Sequence, residues 1–321
     1  MSFGLSKVVV LIATLGALSG CGPPALPSGD ATHARVDPSE SQLPAAASKL
    51  VPARGAYLGL YYGTGSVEDT NAKIGTPAKV HLSYFNWFDD WVAATTTHQD
   101  FAARRIPLIN WEPFDVKFDD IVSGRYDAML NARAVAAASL PGQFFLDFAA
   151  EMNEEEGWGG HDPVLYIAAW RHVHDIFVER GATNVVWVWA PNNTDSDGGP
   201  PALDYYPGSE YVDWTGIDGY NWGTSDPKFD WESFGEVFGP LYDKLRILGK
   251  PVIIGETASD EVGGSKPDWI DSIVPELQMR FTQVRAVVWF DVDKERRWQV
   301  DSTAQSLSAF QSLAANQYFL R

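Results

Sequence analysis

The sequence predicts one α/β domain of the (β/α)8 (TIM) barrel class, preceded by a signal peptide and a short linker. Three observations support this prediction: eight short apolar runs, helix-compatible segments between the runs, and polar or aromatic residues directly after most runs. Of the 321 residues, roughly 265 follow the N-terminal segments, a common size for one barrel of this class.

The eight runs are rich in β-branched and aromatic residues and are almost continuously apolar, as is typical of a parallel sheet covered on both faces. They comprise residues 57–62, 79–85, 106–110, 144–149, 184–190, 214–220, 251–255 and 285–290. Helix-compatible segments between them include residues 132–140, 163–180, 234–248 and 269–281. Strands that alternate with helices predict βαβ units, and a right-handed series of eight closes into a barrel.

A doubly wound open sheet also alternates strands with helices and is the competing interpretation of this pattern. The dinucleotide-binding version of that fold places a Gly-x-Gly-x-x-Gly turn after its first strand. No such turn follows residues 57–62. The barrel is therefore the preferred prediction.

The N-terminus resembles a bacterial lipoprotein signal. Lys7 precedes an apolar stretch at residues 8–17, too short to span a bilayer, and the stretch leads into Leu18-Ser19-Gly20-Cys21. We expect residues 1–20 to be removed and Cys21 to be lipidated. A secretory signal with an incidental cysteine is the alternative. Because Cys21 is the only cysteine, an intramolecular disulfide is excluded.

Residues 21–54 are rich in Pro, Ala and Ser and are predicted to form a tether, and residues 55–321 are predicted to form the barrel domain. Gly22 after the cysteine is compatible with sorting to an outer membrane, which presumes a Gram-negative host. We therefore expect an exported monomer that contacts a membrane through its lipid anchor only, facing either the periplasm or the cell surface.

The formal net charge of −18 argues against binding to nucleic acid or to an anionic lipid surface. It also disfavours acidic polysaccharides and favours a neutral ligand. Two acidic groups, at residues 154–156 and at Asp291 and Asp293, lack the spacing of a calcium loop. We predict neither a metal site nor a cofactor.

The residues that follow the runs carry the predicted chemistry. Carboxyl ends of barrel strands meet at one face, where active sites of this fold lie. The segments found there are Trp111-Glu112, Glu151-Met152-Asn153, residues 189–192, residues 218–222, Glu256-Thr257 and residues 289–291. Indole rings stack on the apolar faces of sugar rings, and carboxyl groups supply the acid and base for acetal cleavage. The predicted ligand is therefore a polysaccharide.

Glu151 and Glu256 are the predicted catalytic pair. Glu151 follows the fourth run and Glu256 the seventh, and strands four and seven of a barrel face each other across its mouth. Hydrolysis of a glycosidic bond needs one carboxylic acid to protonate the leaving oxygen. It also needs a second carboxylate, as a nucleophile or to activate water.

From the first strand to the eighth, the chain resembles glycoside hydrolase family 26, known for β-mannanases and also containing mixed-linkage β-glucanases and β-1,3-xylanases. The segments that carry the resemblance are Trp111-Glu112-Pro113, Glu151-Met152-Asn153, the stretch at residues 186–192, Tyr205-Tyr206-Pro207-Gly208, the stretch at residues 211–222, Gly255-Glu256-Thr257 and Val288-Trp289-Phe290.

The resemblance implies a retaining mechanism, with Glu151 as the acid/base and Glu256 as the nucleophile. It also implies that Tyr220 bonds the nucleophile and that Trp289 forms the floor of the cleavage subsite. The predicted contacts with the sugar are completed by Trp111, Glu112, Asn153, Trp158 and Trp222.

Two positions depart from the family pattern. The family usually has a histidine where this chain has Ala150 and an arginine where it has Asp147. A buried, unpaired Asp147 must find a partner or be protonated. The preferred prediction is an endo-acting β-1,4-mannan hydrolase. The alternatives are the same chemistry on mixed-linkage β-glucan or β-1,3-xylan, and a non-catalytic surface lipoprotein that binds a glycan.

Overall fold

The computed structural model describes residues 49–63, 65–154, 158 and 161–320. The predicted signal peptide, the lipidation site at Cys21 and most of the predicted tether lie outside the described residues. The strands are β1 (Ala56–Tyr61), β2 (Val80–Asn86), β3 (Ile106–Glu112), β4 (Phe144–Phe148), β5 (Val185–Trp189), β6 (Trp214–Asp218), β7 (Val252–Thr257), β8 (Val284–Phe290) and β9 (Phe319–Leu320). The helices are α1 (Val67–Ile74), α2 (Thr95–Ala102), α3 (Phe118–Val122), α4 (Asp127–Ala138), α5 (Pro163–Glu179), α6 (Phe234–Leu245), α7 (Lys266–Met279) and α8 (Ala304–Ala315).

Strands β1 to β8 form a closed parallel barrel. Each strand pairs with the next, and β1 closes the sheet by pairing with both β2 and β8. The short strand β9 adds to β1 in parallel. The predicted (β/α)8 barrel is confirmed, and each of the eight apolar runs overlaps one strand. One connection departs from the prediction, because the described residues between β5 and β6 form a 3-10 turn (Ala202–Tyr205) and no α-helix.

Local sequence signals explain where several helices begin. Asp162 accepts hydrogen bonds from the backbone of Val164 and Leu165, and Pro163 occupies the first turn of α5. Ser233 and Glu236 form a reciprocal capping box at the start of α6. These caps satisfy backbone N–H groups that have no partner within the helix.

The strands direct alternate residues to two different cores. One set fills the barrel, and the other packs against the helices, because side chains in a strand alternate between faces. The residues buried inside the barrel include Val80, Leu82, Ile106, Leu108, Phe145, Val186, Val188, Trp214, Ile253, Ala286 and Val288. Their neighbours along each strand belong to the larger core between barrel and helices. This alternation decides which residues at the strand ends point into the barrel mouth and which point toward the helices.

Residues 49–51 contact the barrel wall and its interior core. The Lys49 ammonium donates to the carbonyl of Val185 at 2.9 Å and pairs with Asp213 at 3.2 Å. Trp214 Nε1 donates to the carbonyl of Lys49 at 2.7 Å, and Leu50 and Val51 pack on the interior core. The tether was predicted to extend to residue 54, whereas the contacts of the barrel domain already begin at Lys49.

Within the described part of the chain, no helix combines the length and the apolar character needed to cross a bilayer.

Removing residues 49–51 is expected to destabilise the barrel. A fragment that starts at residue 52 loses the Lys49 bonds and the apolar contacts of Leu50 and Val51 that a fragment starting at residue 46 keeps. We expect the free energy of unfolding to fall by about 1–3 kcal/mol. Urea unfolding of both fragments measures this, with Lys49→Met in the longer fragment isolating the ammonium. Equal unfolding midpoints would show that the segment adds no stability.

Candidate active site

Glu256 projects from a β-bulge at the end of β7. Ile217 of β6 pairs with Ile254, but the next residue, Asp218, pairs with Glu256, so β7 contains one extra residue at this point. That residue is Gly255, where an added Cβ would lie 2.6 Å from Asp218 Oδ1. Any larger residue would force the Asp218 carboxyl group to move, and glycine allows the close approach. The bulge thus changes the direction in which Glu256 points.

Two phenolic hydroxyls hold the carboxylate of Glu256. Tyr220 donates to Oε2 at 2.6 Å, and Tyr84 donates to Oε1. The side chain is buried, and burial raises the pKa of Glu256, whereas the two tyrosines and the charge of Lys294 act to lower it. Hydrogen bonds to the ionised form favour that form. These contacts therefore offset part of the cost of burying the carboxylate, and the pKa of Glu256 remains above its usual value.

Glu151 lies just beyond β4, on a backbone that turns sharply. Ala149 and Glu151 have φ values of 54° and 56°, in the left-handed region that non-glycine residues rarely adopt. The backbone N–H of Glu151 donates to the carbonyl of Ala190 at 2.8 Å, which ties the turn to the end of β5. Asn192 Nδ2 donates to Oε1 at 3.1 Å. Burial, followed by the charges of Glu256 and Glu154, raises the pKa of Glu151 well above its usual range.

Three further carboxyl groups surround this pair. Burial, followed by the charge of Glu256, raises the pKa of Glu112 to about 7 and those of Asp147 and Asp218 well above the usual range. Among the described residues, Oδ1 of Asp147 and Oδ1 of Asp218 have no hydrogen-bond partner. A buried Asp147 was expected either to find a partner or to be protonated, and its raised pKa favours the protonated form.

Trp111 and Trp289 do not reach the barrel mouth, which contradicts their prediction as sugar contacts. Both are fully buried on the helix-facing side of the barrel. Trp111 stacks on Trp87 with ring centroids 4.6 Å apart, and Trp289 packs edge-on against Phe310 at 5.3 Å. Each tryptophan lies two residues after a strand residue that faces the helices. Because side chains alternate along a strand, the tryptophan also faces the helices and points away from the barrel mouth.

Asn153 is also unavailable to a ligand, because its amide is used within the protein. Its Nδ2 donates to the carbonyls of Asn192 and Thr194 and to Asp195 Oδ1, at 2.9–3.1 Å. Its Oδ1 accepts from the backbone N–H of Asn192 at 2.9 Å. Asn153 therefore joins the loops after β4 and β5, and the prediction that it binds sugar is wrong.

The other predicted contact residues lie at the mouth or its rim. Glu112 ends β3 and is partly exposed, and Tyr220 bonds Glu256 as the resemblance implied. Trp158 is partly exposed and donates from Nε1 to the carbonyl of Ala150 at 2.6 Å, beside Glu151. Trp222 is partly exposed and stacks on Phe229 with ring centroids 5.0 Å apart. These side chains therefore lie at the carboxyl-terminal end of the barrel.

Sequence reasoning missed four residues of the mouth, namely Tyr61, Tyr84, Phe290 and Lys294. Tyr84 bonds Glu256, and Phe290 lies among Tyr61, Tyr84 and Tyr220, with ring centroids 4.8–6.3 Å apart. Lys294, in the loop after β8, lies 5.9 Å from the Phe290 ring and acts electrostatically on Glu256. The two-residue repeat of a strand could have predicted Tyr84 and Phe290. Leu82 and Val288 face the barrel interior, and a residue two positions further along the strand faces the same way.

In the part of the chain that the structure describes, no three His, Cys, Asp or Glu side chains are grouped so as to hold a metal ion.

A closed barrel with one glutamate just after β4 and another near the end of β7, both at the carboxyl ends of the strands, is typical of the class of (β/α)8 glycoside hydrolases. The family model for glycosyl hydrolase family 26 matches residues 144–250. Endoglucanase H of Acetivibrio thermocellus is 34% identical over 268 residues, which are 80% of this chain and 29% of that protein. The chain belongs to glycosyl hydrolase family 26.

Two further relatives agree with this assignment. The mannan endo-1,4-beta-mannosidase A and B of Caldalkalibacillus mannanilyticus is 27% identical over 151 residues, which are 44% of this chain and 26% of that protein. The chain thus spans less than a third of the length of either curated relative. The structure of a family 26 β-mannanase from Bacteroides ovatus aligns with a TM-score of 0.60 at 13% identity, covering 84% of this chain and 90% of that one. At this identity the structural match supports the fold alone.

Removing either tyrosine hydroxyl is expected to raise the pKa of Glu256. Tyr84→Phe and Tyr220→Phe each delete one donor to the carboxylate, and one hydrogen bond of this kind corresponds to a shift of roughly one pKa unit. Carboxyl-carbon NMR titration of glutamate-labelled protein measures the shift, with Glu256→Gln identifying the resonance. Tyr61→Phe is the matched control, because Tyr61 stacks on Phe290 without a bond to Glu256. An unchanged pKa in both tyrosine variants would contradict the assignment.

Replacing Glu112 by glutamine is expected to stabilise the protein at pH 8 and not at pH 4. The folded state raises the pKa of Glu112 from 4.5 to about 7. Between these values the folded state keeps a proton that the unfolded state releases, so stability falls as pH rises through this window. Allowing for its partial exposure, we expect a gain of about 1–2 kcal/mol at pH 8. Urea unfolding at both pH values measures it, with exposed Glu179→Gln as control. An equal gain at pH 4 would refute the linkage.

Proposed function

We propose that this protein is a retaining, endo-acting glycoside hydrolase that cleaves a neutral β-linked polysaccharide. Glu256 is the nucleophile and Glu151 the acid/base. The observation that carries the proposal is the contrast between these two groups. Glu256 has two phenol donors and a nearby lysine, whereas Glu151 accepts from one amide among the described residues and has a carboxyl neighbour, Glu154, whose charge raises its pKa. Such unequal surroundings separate the pKa values of a catalytic pair.

In the first step, Glu151 is protonated and gives its proton to the glycosidic oxygen as the bond to the leaving chain breaks. A carboxylate oxygen of Glu256 attacks the anomeric carbon and forms a glycosyl ester. In the second step, Glu151 takes a proton from water, the water oxygen attacks the anomeric carbon, and Glu256 leaves as a carboxylate. The two inversions give net retention.

Endo action is supported by aromatic side chains on both sides of the mouth. Phe114 is 49% exposed and packs against Trp158 on the β3–β4 side, with ring centroids 4.8 Å apart. Trp222 and Phe229 lie on the β6 side, and Phe229 is 38% exposed. Sugar rings bound on both sides of the catalytic pair would belong to the interior of a polysaccharide chain.

β-Glucan is the first candidate for the substrate. The relative matched over 80% of this chain is named an endoglucanase, and the match to the mannosidase covers 44%. Ala150 also lacks the histidine that the family usually places at the cleavage-site sugar. β-1,4-Mannan, the substrate predicted from the sequence, is the second candidate and is favoured by the name of the mannosidase relative.

The test is hydrolysis by the full chain of barley β-glucan, lichenan, carboxymethylcellulose, β-mannan, galactomannan and β-1,3-xylan. We expect reducing ends to appear on one class of glycan, with a rapid fall in viscosity that indicates endo cleavage. Glu256→Gln and Glu151→Gln should each lower kcat by at least about a hundredfold. Exposed Glu179→Gln is the control and should leave kcat unchanged.

Proton NMR of the first product gives the stereochemistry. The β-anomer should appear before mutarotation, and an initial α-anomer would overturn the retaining mechanism. If the folded wild type binds a glycan in affinity electrophoresis and cleaves none of the six, the alternative of a surface glycan-binding protein is favoured.

A further inference from the structure

Lys266 is a buried cation that the proposed chemistry does not use. It is the first residue of α7, and none of its side chain is exposed. Its ammonium donates to the carbonyls of Arg297 and Gln299 and to Ser302 Oγ, each at 2.8 Å. All three acceptors belong to the loop at residues 291–303, between β8 and α8. Lys266 therefore fastens this loop to the start of α7.

This position is costly for a cation. Burial lowers the pKa of Lys266 to about 8. The N-terminus of a helix also carries partial positive charge, so an ammonium in its first turn is unfavourable. Glu261 Oε1, 3.9 Å from the ammonium, balances part of this charge. The hydrogen bonds of the ammonium all go to the loop.

Trp298, in this loop, packs against residues of the candidate active site. Trp298 lies between the two residues whose carbonyls Lys266 holds, and its side chain is buried. Its ring lies 5.0 Å from the Tyr220 ring and 5.2 Å from the Trp222 ring. Tyr220 in turn donates to Glu256 Oε2 at 2.6 Å. A continuous set of contacts thus joins Lys266 to the carboxylate.

We propose that Lys266 is a positioning residue for the nucleophile: it holds Trp298 against Tyr220 and so keeps the Tyr220 hydroxyl directed at Glu256. The nucleophilic role of Glu256 belongs to the proposed function, on which this inference rests. The positional role of Lys266 is measurable in the ligand-free protein, because a weaker bond from Tyr220 changes the pKa of Glu256 whether or not a substrate is known.

The protonated form of Lys266 is the one that matches its surroundings. An ammonium has three N–H donors for its three acceptors, whereas a neutral amine has two. Ser302 Oγ gives its own hydrogen to Glu261, so it cannot donate to the amine without breaking that bond. The charged groups that act on Lys266 are Glu261, Asp260, Asp291 and Arg297. Deprotonation at alkaline pH therefore removes one attachment of the loop.

The decisive experiment is NMR titration of Glu256 in Lys266→Met. The variant keeps the aliphatic stem and removes the donors. We expect the pKa of Glu256 to rise in the direction of the value in Tyr220→Phe. Lys250→Met is the matched control, because the Lys250 ammonium also donates to a backbone carbonyl, that of Ser209 at 2.7 Å. The control should leave the pKa unchanged. No shift in Lys266→Met would overturn the proposal.

A double-mutant cycle separates positioning from a direct effect of charge. If Lys266 acts through Tyr220, adding Lys266→Met to Tyr220→Phe changes the pKa of Glu256 no further. An equal, additive shift in both backgrounds would refute the route through Tyr220. Ser302→Ala, which removes one acceptor and keeps the charge, should raise the pKa in the same direction. It replaces Lys266→Met in the test if that variant does not fold.

On a glycan that the wild type cleaves, Lys266→Met should lower kcat by about tenfold with little change in KM, since the lost contact orients the nucleophile and not the sugar. Lys266→Arg should restore part of the loss, because arginine keeps the charge and the donors. A change in KM alone would contradict the proposal. If the wild type cleaves no glycan, the proposed function fails, and the NMR cycle still decides the role of Lys266.

Discussion

The carboxylate of Glu256, held between two phenolic hydroxyls, is the contact on which the arrangement of the mouth depends. Tyr84 comes from β2 and lies 172 residues away in the chain, whereas Tyr220 follows β6. Only a closed barrel brings the ends of β2, β6 and β7 to one point. The bulge at Gly255 then directs the carboxylate toward both hydroxyls. Fold closure, local backbone geometry and the hydrogen bonding of the proposed nucleophile are therefore linked at one residue.

Crowding of carboxyl groups is the second constraint. Glu112, Asp147, Glu151 and Asp218 all have raised pKa values, with burial as the first cause and the charge of Glu256 as the second. Ionising all of them together would be costly in a buried site, so protons are retained near the anion. The pKa of Glu151 is raised further than that of Glu256, which has two phenol donors, and a protonated Glu151 is what the proposed acid role requires.

Strand phase explains which sequence predictions failed. An apolar run buried on both faces identifies a strand, but it does not show which of its residues point into the barrel. Trp111 and Trp289 were assigned to the cleft because they lie at strand ends. Each occupies a strand position whose side chain faces the helices instead. Asn153 failed for a different reason, because loops from two strands use its whole amide.

The sequence by itself determined the barrel, its eight strands and the two glutamates, because these depend on apolar periodicity and on residues adjacent to strands. The tertiary structure decided the partners of those glutamates. Tyr84 and Lys294 reach the site from distant segments, and the contacts of Trp158 depend on how a loop returns to Ala150. Such contacts arise from strand register, bulges and loop paths, which are set by packing between segments far apart in the chain and leave no local pattern.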